Sequence, residues 1–370
     1  MNKDTVKIIA VGDIFLGEHP FTLGHGVTTI AKEKGCDFLF SEIKEHLKGG
    51  DIVCGNLEGI ISQKKKEETG IKSAIFWGEP ECASALKSAG FNCLFLANNH
   101  TAQHGMDALK RTCQLLDKNN IKWTGFNTTM IGSSLPAIFN VRGIHVGILA
   151  YCETQQYNMD TPILQITNPE NIKKDINNLR KNCDIVIISL HWGEEFIDYP
   201  SPKQIQLAHE IIDEGAHLIL GHHSHTMQGI ERYKNGLIAY SLGSFVKDLW
   251  QHKLRESVIL RCELAAEGIK EFDVFPLFIN NQYQPEFYEG EAGRKFYKKV
   301  ESLSSAIEQR NLGGSTKTQN KYVQDVKRLL IKDRFETLIH YMANIFRYDR
   351  RLLLENIMLM LKRRIYRRNV

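Results

Sequence analysis

Seven short runs rich in Val, Ile and Leu constrain this chain more than any other feature. They are "VKIIAV" (6–11), "DIVC" (51–54), "CLFLA" (93–97), "HVGILAY" (145–151), "DIVIISL" (184–190), "HLIL" (217–220) and "LIAYSL" (237–242). Their length and their lack of clean alternation fit strands buried on both faces. Between several of them lie segments with apolar residues at three- and four-residue spacing and a Gly or Asn stop. "SEIKEHLKGG", "PECASALKSAG", "MDALKRTCQLLDKNN" and "SPKQIQLAHEIIDEG" read in this way as helices. Alternating strands and helices predict an α/β fold with a layered sheet. Further on, "ESVILRCEL" and "IKEFDVFPLFI" predict a hairpin closing the sheet, and "YEGEAGRKFYKKVESLSSAIEQRN" a helix. "LGGSTKTQN" (312–320) reads as a break, and a domain boundary near residue 280 separates 1–280 from a mostly helical, basic extension, 281–370.

Polar residues able to hold a metal stand directly after these runs. Asp13 follows the first. Asn56 and Glu58 follow the second in "GNLEG", and Asn98, Asn99, His100 and His104 follow the third in "NNHTAQHG". "HWGEE" brings His191, Glu194 and Glu195, and "GHHSH" brings His222, His223 and His225. Ligands of α/β sheets gather at the carboxyl ends of the strands, so these residues converge although they span over two hundred positions. By itself "GHHSH" reads equally well as a histidine-rich polar turn. In an extended segment, His223 and His225 would share one face, as chelation needs. Nitrogen and oxygen donors without thiolate suit Zn, Mn or Fe.

Composition narrows the class. A 42% hydrophobic and 24% charged content belongs to a soluble globular chain with ample core. None of the eight cysteines forms a CxxC pair, which argues against a cysteine-based zinc site; all read as reduced, buried small hydrophobes, as in a cytosolic protein. The amino terminus lacks a signal-peptide core, and no apolar stretch approaches membrane-spanning length. P-loop, dinucleotide-binding and nucleophile-elbow motifs are absent from the sequence. Cys54 has no neighbouring motif to supply an activating base. Charge is uneven: from 346 to 370, eight basic residues stand against two acidic ones, a balance of +6, while the whole chain carries +4 and the remainder therefore −2. "RRLLLENIMLMLKRRIYRRNV" could lie on anionic lipid, pack against a partner, or dock on the globular body. Few aromatics are interleaved with its arginines, which argues against nucleic acid.

"AVGDIFLGE", "GNLEGII", "AGFNCLFLANNHTAQHG", "SLHWGEEF" and "LILGHHSH…GLIAYSLGSF" together resemble the CapA family of capsule and poly-γ-glutamate synthesis proteins, within the calcineurin-like metallophosphoesterase superfamily. The resemblance covers about residues 6–250. It implies a layered calcineurin-like sheet sandwich flanked by helices, with a helical extension after it. It implies one or two divalent metal ions held by Asp13, Glu58, Asn99, His191, His223 and His225. His100 would stand beside the leaving group, with Asn56, Asn98, His104, Glu195 and His222 lining or supporting the pocket. One departure is visible: Phe15 occupies the place, two residues after the first aspartate, where the superfamily commonly has histidine. Glu18 and His19 are the nearest candidates to replace it.

The resemblance implies a metal-dependent hydrolase, with phosphoester hydrolysis favoured over cleavage of γ-glutamyl amides, tied to capsule or other extracellular-polymer biosynthesis. The Phe15 gap and the basic tail motivate an alternative, a non-catalytic metal-binding or scaffold component of a polymer synthesis or export assembly. Expected partners are an anionic polymer, a phosphoester or a γ-glutamyl substrate, and polymer-synthesis proteins, with peripheral membrane contact through 346–370. The expected location is cytoplasmic, at or near the inner face of the membrane.

Overall fold

The computed structural model describes residues 5–125, 136–153, 169–311, 316–348 and 354–355. The strands in chain order begin with β1 (Val6–Ile14), β2 (Ile52–Leu57), β3 (Ile60–Ile61), β4 (Trp77–Gly78), β5 (Cys93–Phe95) and β6 (Lys122–Thr124). Next come β7 (Ala137–Val141), β8 (Ile144–Cys152), β9 (Ile185–His191), β10 (Leu218–His222), β11 (Ile230–Tyr233) and β12 (Gly236–Ala239). β13 (Ser244–Val246), β14 (Glu256–Ala265), β15 (Gly268–Ile279) and β16 (Pro285–Phe287) complete the series. The helices are α1 (Val27–Lys34), α2 (Lys44–Leu47), α3 (Ile71–Ala74), α4 (Cys82–Ala89), α5 (Gly105–Lys118), α6 (Pro169–Arg180), α7 (Pro202–Asp213), α8 (Gly290–Asn311) and α9 (Thr316–Ala343).

The seven apolar runs all form strands. One sheet is ordered β16-β15-β14-β1-β2-β5-β6, with β13 also pairing to β1; the second is ordered β11-β12-β10-β9-β8-β7. Alternate residues of each strand point to opposite faces. Ile8 and Ala10 of β1, Ile185 and Ile187 of β9, and Leu218 and Leu220 of β10 therefore meet in a core between the sheets. The intervening residues face helices. Ile9 and Val11 pack in the same cluster as Leu86 of α4 and Leu109 of α5. Val186, Ile188 and Ile219 join Ile176 of α6 and Ile211 of α7. The result is the α/β fold with layered sheets that the alternating pattern predicts, arranged as the helix-flanked sandwich that the resemblance implies, and the double cover explains why these strands show no polar face.

α7 begins at Ser201, whose side chain accepts from the Gln204 backbone while the Gln204 side chain caps in return, with Pro202 in the first turn. The hairpin expected from 256 to 279 is the β14–β15 pair. Beyond residue 280, β16 edges the first sheet, and Phe296 and Val300 of α8 enter the inter-sheet core. "SEIKEHLKGG" is less helical than its spacing suggests: only Lys44–Leu47 is α-helical there. On α9, Ile331, Phe335, Leu338 and Met342 are exposed at four- and three-residue spacing. Of the basic tail, only 346–348 and 354–355 fall within the described residues, so the membrane contact expected through 346–370 lies largely outside them. Among the described residues no helix is long and apolar enough to cross a membrane.

The cysteine reading needs correction. Cys54, Cys93, Cys113, Cys152, Cys183 and Cys262 are free and buried, but Cys36 and Cys82 form a disulfide. It joins the turn after α1 to the start of α4 across a sequence separation of 46.

At the amino-terminal end of β2 a charge pair spans the two sheets. Arg142 and Gly143, both with positive φ, make the tight turn between β7 and β8. The Arg142 guanidinium then grips Asp51 in two-pronged fashion at 2.6 and 2.8 Å and donates to the Thr5 carbonyl at 2.7 Å. The hydrogen bond from Arg142 holds the Asp51 carboxyl below its usual range, against partial burial, which raises it. Asp51→Asn should cost about 1 kcal/mol at neutral pH. Because the folded pKa is depressed, that stability is present above the unfolded value, about 3.9, and is lost as pH falls through the folded one. Urea unfolding of both proteins at neutral pH and below the ordinary carboxylate range checks this. A stability gap that persists unchanged into acid would exclude the ion pair as its source.

Candidate metal centre

β1, β2, β9 and β10, with the loop after β5, deliver their polar residues to one edge of the sandwich. Close backbone approach makes this possible. A Cβ on Gly12 would meet the Gly243 oxygen at 2.1 Å, and one on Gly221 would meet the Tyr240 oxygen at 1.9 Å. Glycine is needed at both. Asp13 then donates its backbone N–H to the Gly243 carbonyl at 3.0 Å, which lays β13 alongside the end of β1.

Asp13 is fully buried. Its Oδ1 accepts from Asn56 Nδ2 at 2.7 Å; its Oδ2 accepts from the His223 backbone at 3.3 Å and lies 3.0 Å from His225 Nδ1. His222 Nδ1 is 3.3 Å from Oδ1, an ion-pair distance without hydrogen-bond alignment. Burial pushes the Asp13 carboxyl up, but His222 and His225 outweigh it and hold it well below the usual range.

Asn98 organises the next turn. Its Oδ1 accepts from the backbones of His100 and Thr101 at 3.1 and 3.0 Å and from the Thr101 hydroxyl at 2.8 Å. Its Nδ2 donates to the Leu57 carbonyl at 2.7 Å and to Asn56 Oδ1 at 3.2 Å. Asn99 and His100 are thereby presented inward. Asn99 Oδ1 lies 2.9 Å from His191 Nε2, and Asn99 Nδ2 lies 3.3 Å from His100 Nε2. The His100 ring stacks on Phe76 at 3.9 Å, and its Nδ1 is 2.8 Å from Gln103 Oε1. Burial lowers the His100 pKa to about 4, and burial with the His223 charge holds His191 well below the usual imidazole value.

His223 and His225 reach the site in a different way from that expected. Both have left-handed backbones, φ 92° and 55°, and they follow the end of β10 instead of extending it. Side-chain alternation does not bring them together; two strained residues do, at a cost of about 1–3 kcal/mol each.

Two groups emerge whose ligand atoms lie within 4.8 Å of one another: Asp13, Glu58 and His225, and Glu195, His223 and His225. Glu195 therefore belongs among the candidate ligands. Burial raises its carboxyl, but the His223 and His225 charges outweigh this and lower it. Buried His223 Nδ1 and Glu58 Oε1 have no hydrogen-bond partner among the described residues. Orphaned donor atoms of these types suit a divalent cation of borderline hardness.

Other expected positions fall elsewhere. His104 Nε2 faces the Ile75 carbonyl at 3.0 Å and its ring abuts Trp77, outside the cluster. Neither candidate for the place of Phe15 turns inward. Glu18 accepts from the backbones of Gly24, Gly26 and Thr29, and the His19 ring pairs with Asp248.

Sequence reasoning missed Lys247. Fully buried, it brings Nζ to 2.5 Å from Glu58 Oε2 and to 3.2 and 3.1 Å from the two His225 ring nitrogens. Burial raises the Glu58 carboxyl, but the Lys247 charge and then His225 dominate and lower it below the usual range. Lys247 directly follows β13, a strand end like the others, in "SLGSFVKD".

Because Asn98 is fully buried and its oxygen takes three donors, Asn98→Ala should destabilise the protein by at least about 2 kcal/mol, the scale of stranded buried donors. Chemical denaturation measures this directly. An unchanged midpoint would mean that the turn is held without the side chain.

The family described as bacterial capsule synthesis protein PGA_cap matches residues 7–249. The capsule biosynthesis protein CapA of Bacillus anthracis is 32% identical over 287 residues, covering 75% of this chain and 68% of that protein. The PGA biosynthesis protein CapA of Bacillus subtilis (strain 168) is 29% identical over 284 residues, covering 75% and 73%. Among solved structures, a hypothetical protein from Thermus thermophilus aligns with a TM-score of 0.47 and 14% identity over 73% of this chain and 98% of that one.

Proposed function

We propose that this chain, which belongs to the bacterial capsule synthesis protein family PGA_cap, is a metal-dependent hydrolase acting on a phosphoester in the synthesis of an anionic extracellular polymer such as poly-γ-glutamate. The convergence of Asp13, Glu58, Asn99, His191, Glu195, His223 and His225 at one sheet edge carries this reading, because two of their buried donor atoms make no hydrogen bond among the described residues. A bound divalent cation would supply Lewis acidity toward a phosphoryl or carbonyl oxygen.

The chain's own residues do the rest. Asn56 and the His223 backbone fix the Asp13 carboxylate, and Asn99 fixes the His191 ring. With Gln103 Oε1 facing Nδ1, that nitrogen of His100 carries the hydrogen and Nε2 faces inward, 3.7 Å from Glu58 Oε1. The neutral ring favoured by burial presents a lone pair there, which accepts from Asn99 Nδ2 and can accept a hydrogen bond from water entering the centre. Phe76 stacks on the His100 ring and packs edge-on against Phe15, so this side of the ring is walled by aromatic carbon.

The test is metal content and turnover on a panel of phosphomonoesters, phosphodiesters and γ-glutamyl peptides, with Mn or Zn supplied. Asp13→Ala and His223→Ala should each lower turnover at least about 100-fold, the upper range seen for groups that merely support a metal ligand. Metal retained at full stoichiometry in both variants would sink the site. Turnover confined to γ-glutamyl peptides would move the substrate to an amide. The second reading, a non-catalytic metal-binding or scaffold component, draws support from the ammonium group of Lys247 inside the centre. Metal loss in the variants without turnover on any substrate would select it.

For location, the Cys36–Cys82 bond supports an oxidising environment over the cytoplasmic one expected from sequence. Acid quenching of intact cells followed by alkylation in denaturant should leave these two cysteines unalkylated until a reductant is added. Alkylation of both in denaturant without a reductant would favour the cytosol.

A further inference from the structure

Two metal-sized groups of ligands share His225, but they are not equivalent. Each contains a buried atom without a hydrogen-bond partner among the described residues, His223 Nδ1 in the Glu195–His223–His225 group and Glu58 Oε1 in the other. The Asp13–Glu58–His225 group already has a cation beside it. Lys247 Nζ takes Glu58 Oε2 at 2.5 Å and stands 3.2 and 3.1 Å from the two nitrogens of His225. The side chains of Asp13, Glu58, His225 and Lys247 are at most 5% exposed, so their charges act in a medium that screens weakly.

Phe15 fits the same arrangement. It lies two residues after Asp13 and offers no ligand atom. Its ring face instead stands 5.4 Å from Lys247 Nζ, within cation–π range, and is held by contacts with Phe76 and His19. A metal ligand at this position would draw a metal in; an aromatic face suits an ammonium group.

The charges agree. Asp13 and Glu58 carry two negative charges, of which Lys247 neutralises one. A divalent cation added to that group would lie against the ammonium group with Glu58 Oε2 already engaged. Glu195, His223 and His225 keep a carboxylate and two imidazoles for one ion, with His191 adjoining at 4.6 Å between ring centroids.

We infer that the Lys247 ammonium group takes the place of one metal ion, so that the centre holds a single divalent cation, on the Glu195–His223–His225 side. This rests on the reading of the centre as a metal site.

The experiment is metal stoichiometry after equilibrium dialysis against Mn, read by elemental analysis, with the electron paramagnetic resonance spectrum of the Mn-loaded protein as a second measure. Wild type should bind one equivalent and give the spectrum of an isolated Mn ion. Lys247→Met should admit a second equivalent and give a spin-coupled spectrum. To cover misfolding from a stranded Glu58, the double variant Lys247→Met/Glu58→Gln removes both charges and should bind one equivalent. His223→Ala should bind none. Two equivalents in wild type, or one in a folded Lys247→Met, would overturn the replacement while leaving the metal reading intact. No metal in any of the proteins would overturn that reading, and the replacement with it.

Discussion

The carboxylate of Asp13 is the group on which the rest of the structure depends. Removing such a charge from water costs several kcal/mol unless donors surround it. Its partners come from both sheets: Asn56 from β2, and His222, His223 and His225 from β10 and the turn after it. The same contacts that offset burial therefore lock the sandwich at the carboxyl ends of its parallel strands. Arg142 and Asp51 lock it at the opposite ends. Between them the apolar core supplies most of the cohesion but little of the register, since Ile, Val and Leu pack without direction.

Much of this could be read from the sequence because the fold buries its strands on both sides. Such strands announce themselves as unbroken apolar runs, and their carboxyl ends are where polar residues gather. Asp13, Asn56, Glu58, Asn99, His100, His191, His223 and His225 were legible for that reason. Lys247 follows a strand end as well. Its ammonium group is not a metal-ligating type, so nothing in the sequence marks it as a member of a cluster of ligands. The left-handed turn at His223 and His225 could not be read either, since histidine carries none of the conformational signal that glycine would. His104 looked equivalent to His100 in "NNHTAQHG", but the turn built on Asn98 rotates only the nearer ring inward.

The Cys36–Cys82 pair illustrates a different limit. The two residues are separated by 46 positions and by β2, so no spacing rule links them. They meet because α4 and the turn after α1 pack on the same outer face of the first sheet. Buried cysteines elsewhere, such as Cys54 and Cys93, sit in the inter-sheet core as small apolar side chains. Contacts made by folding, and not local chemistry, divide the eight into two kinds.

Near the end of the described chain, Tyr348 donates its hydroxyl hydrogen to the Phe21 carbonyl, and its ring lies against His25 and Tyr341. Phe21 belongs to the short loop that leaves β1 after Phe15. The loop after β1 and the segment after α9 are thus tied together, 327 positions apart in sequence. The loop leaving β1 therefore takes one of its anchors from a residue far away in sequence, and a substitution at Tyr348 would act on it directly.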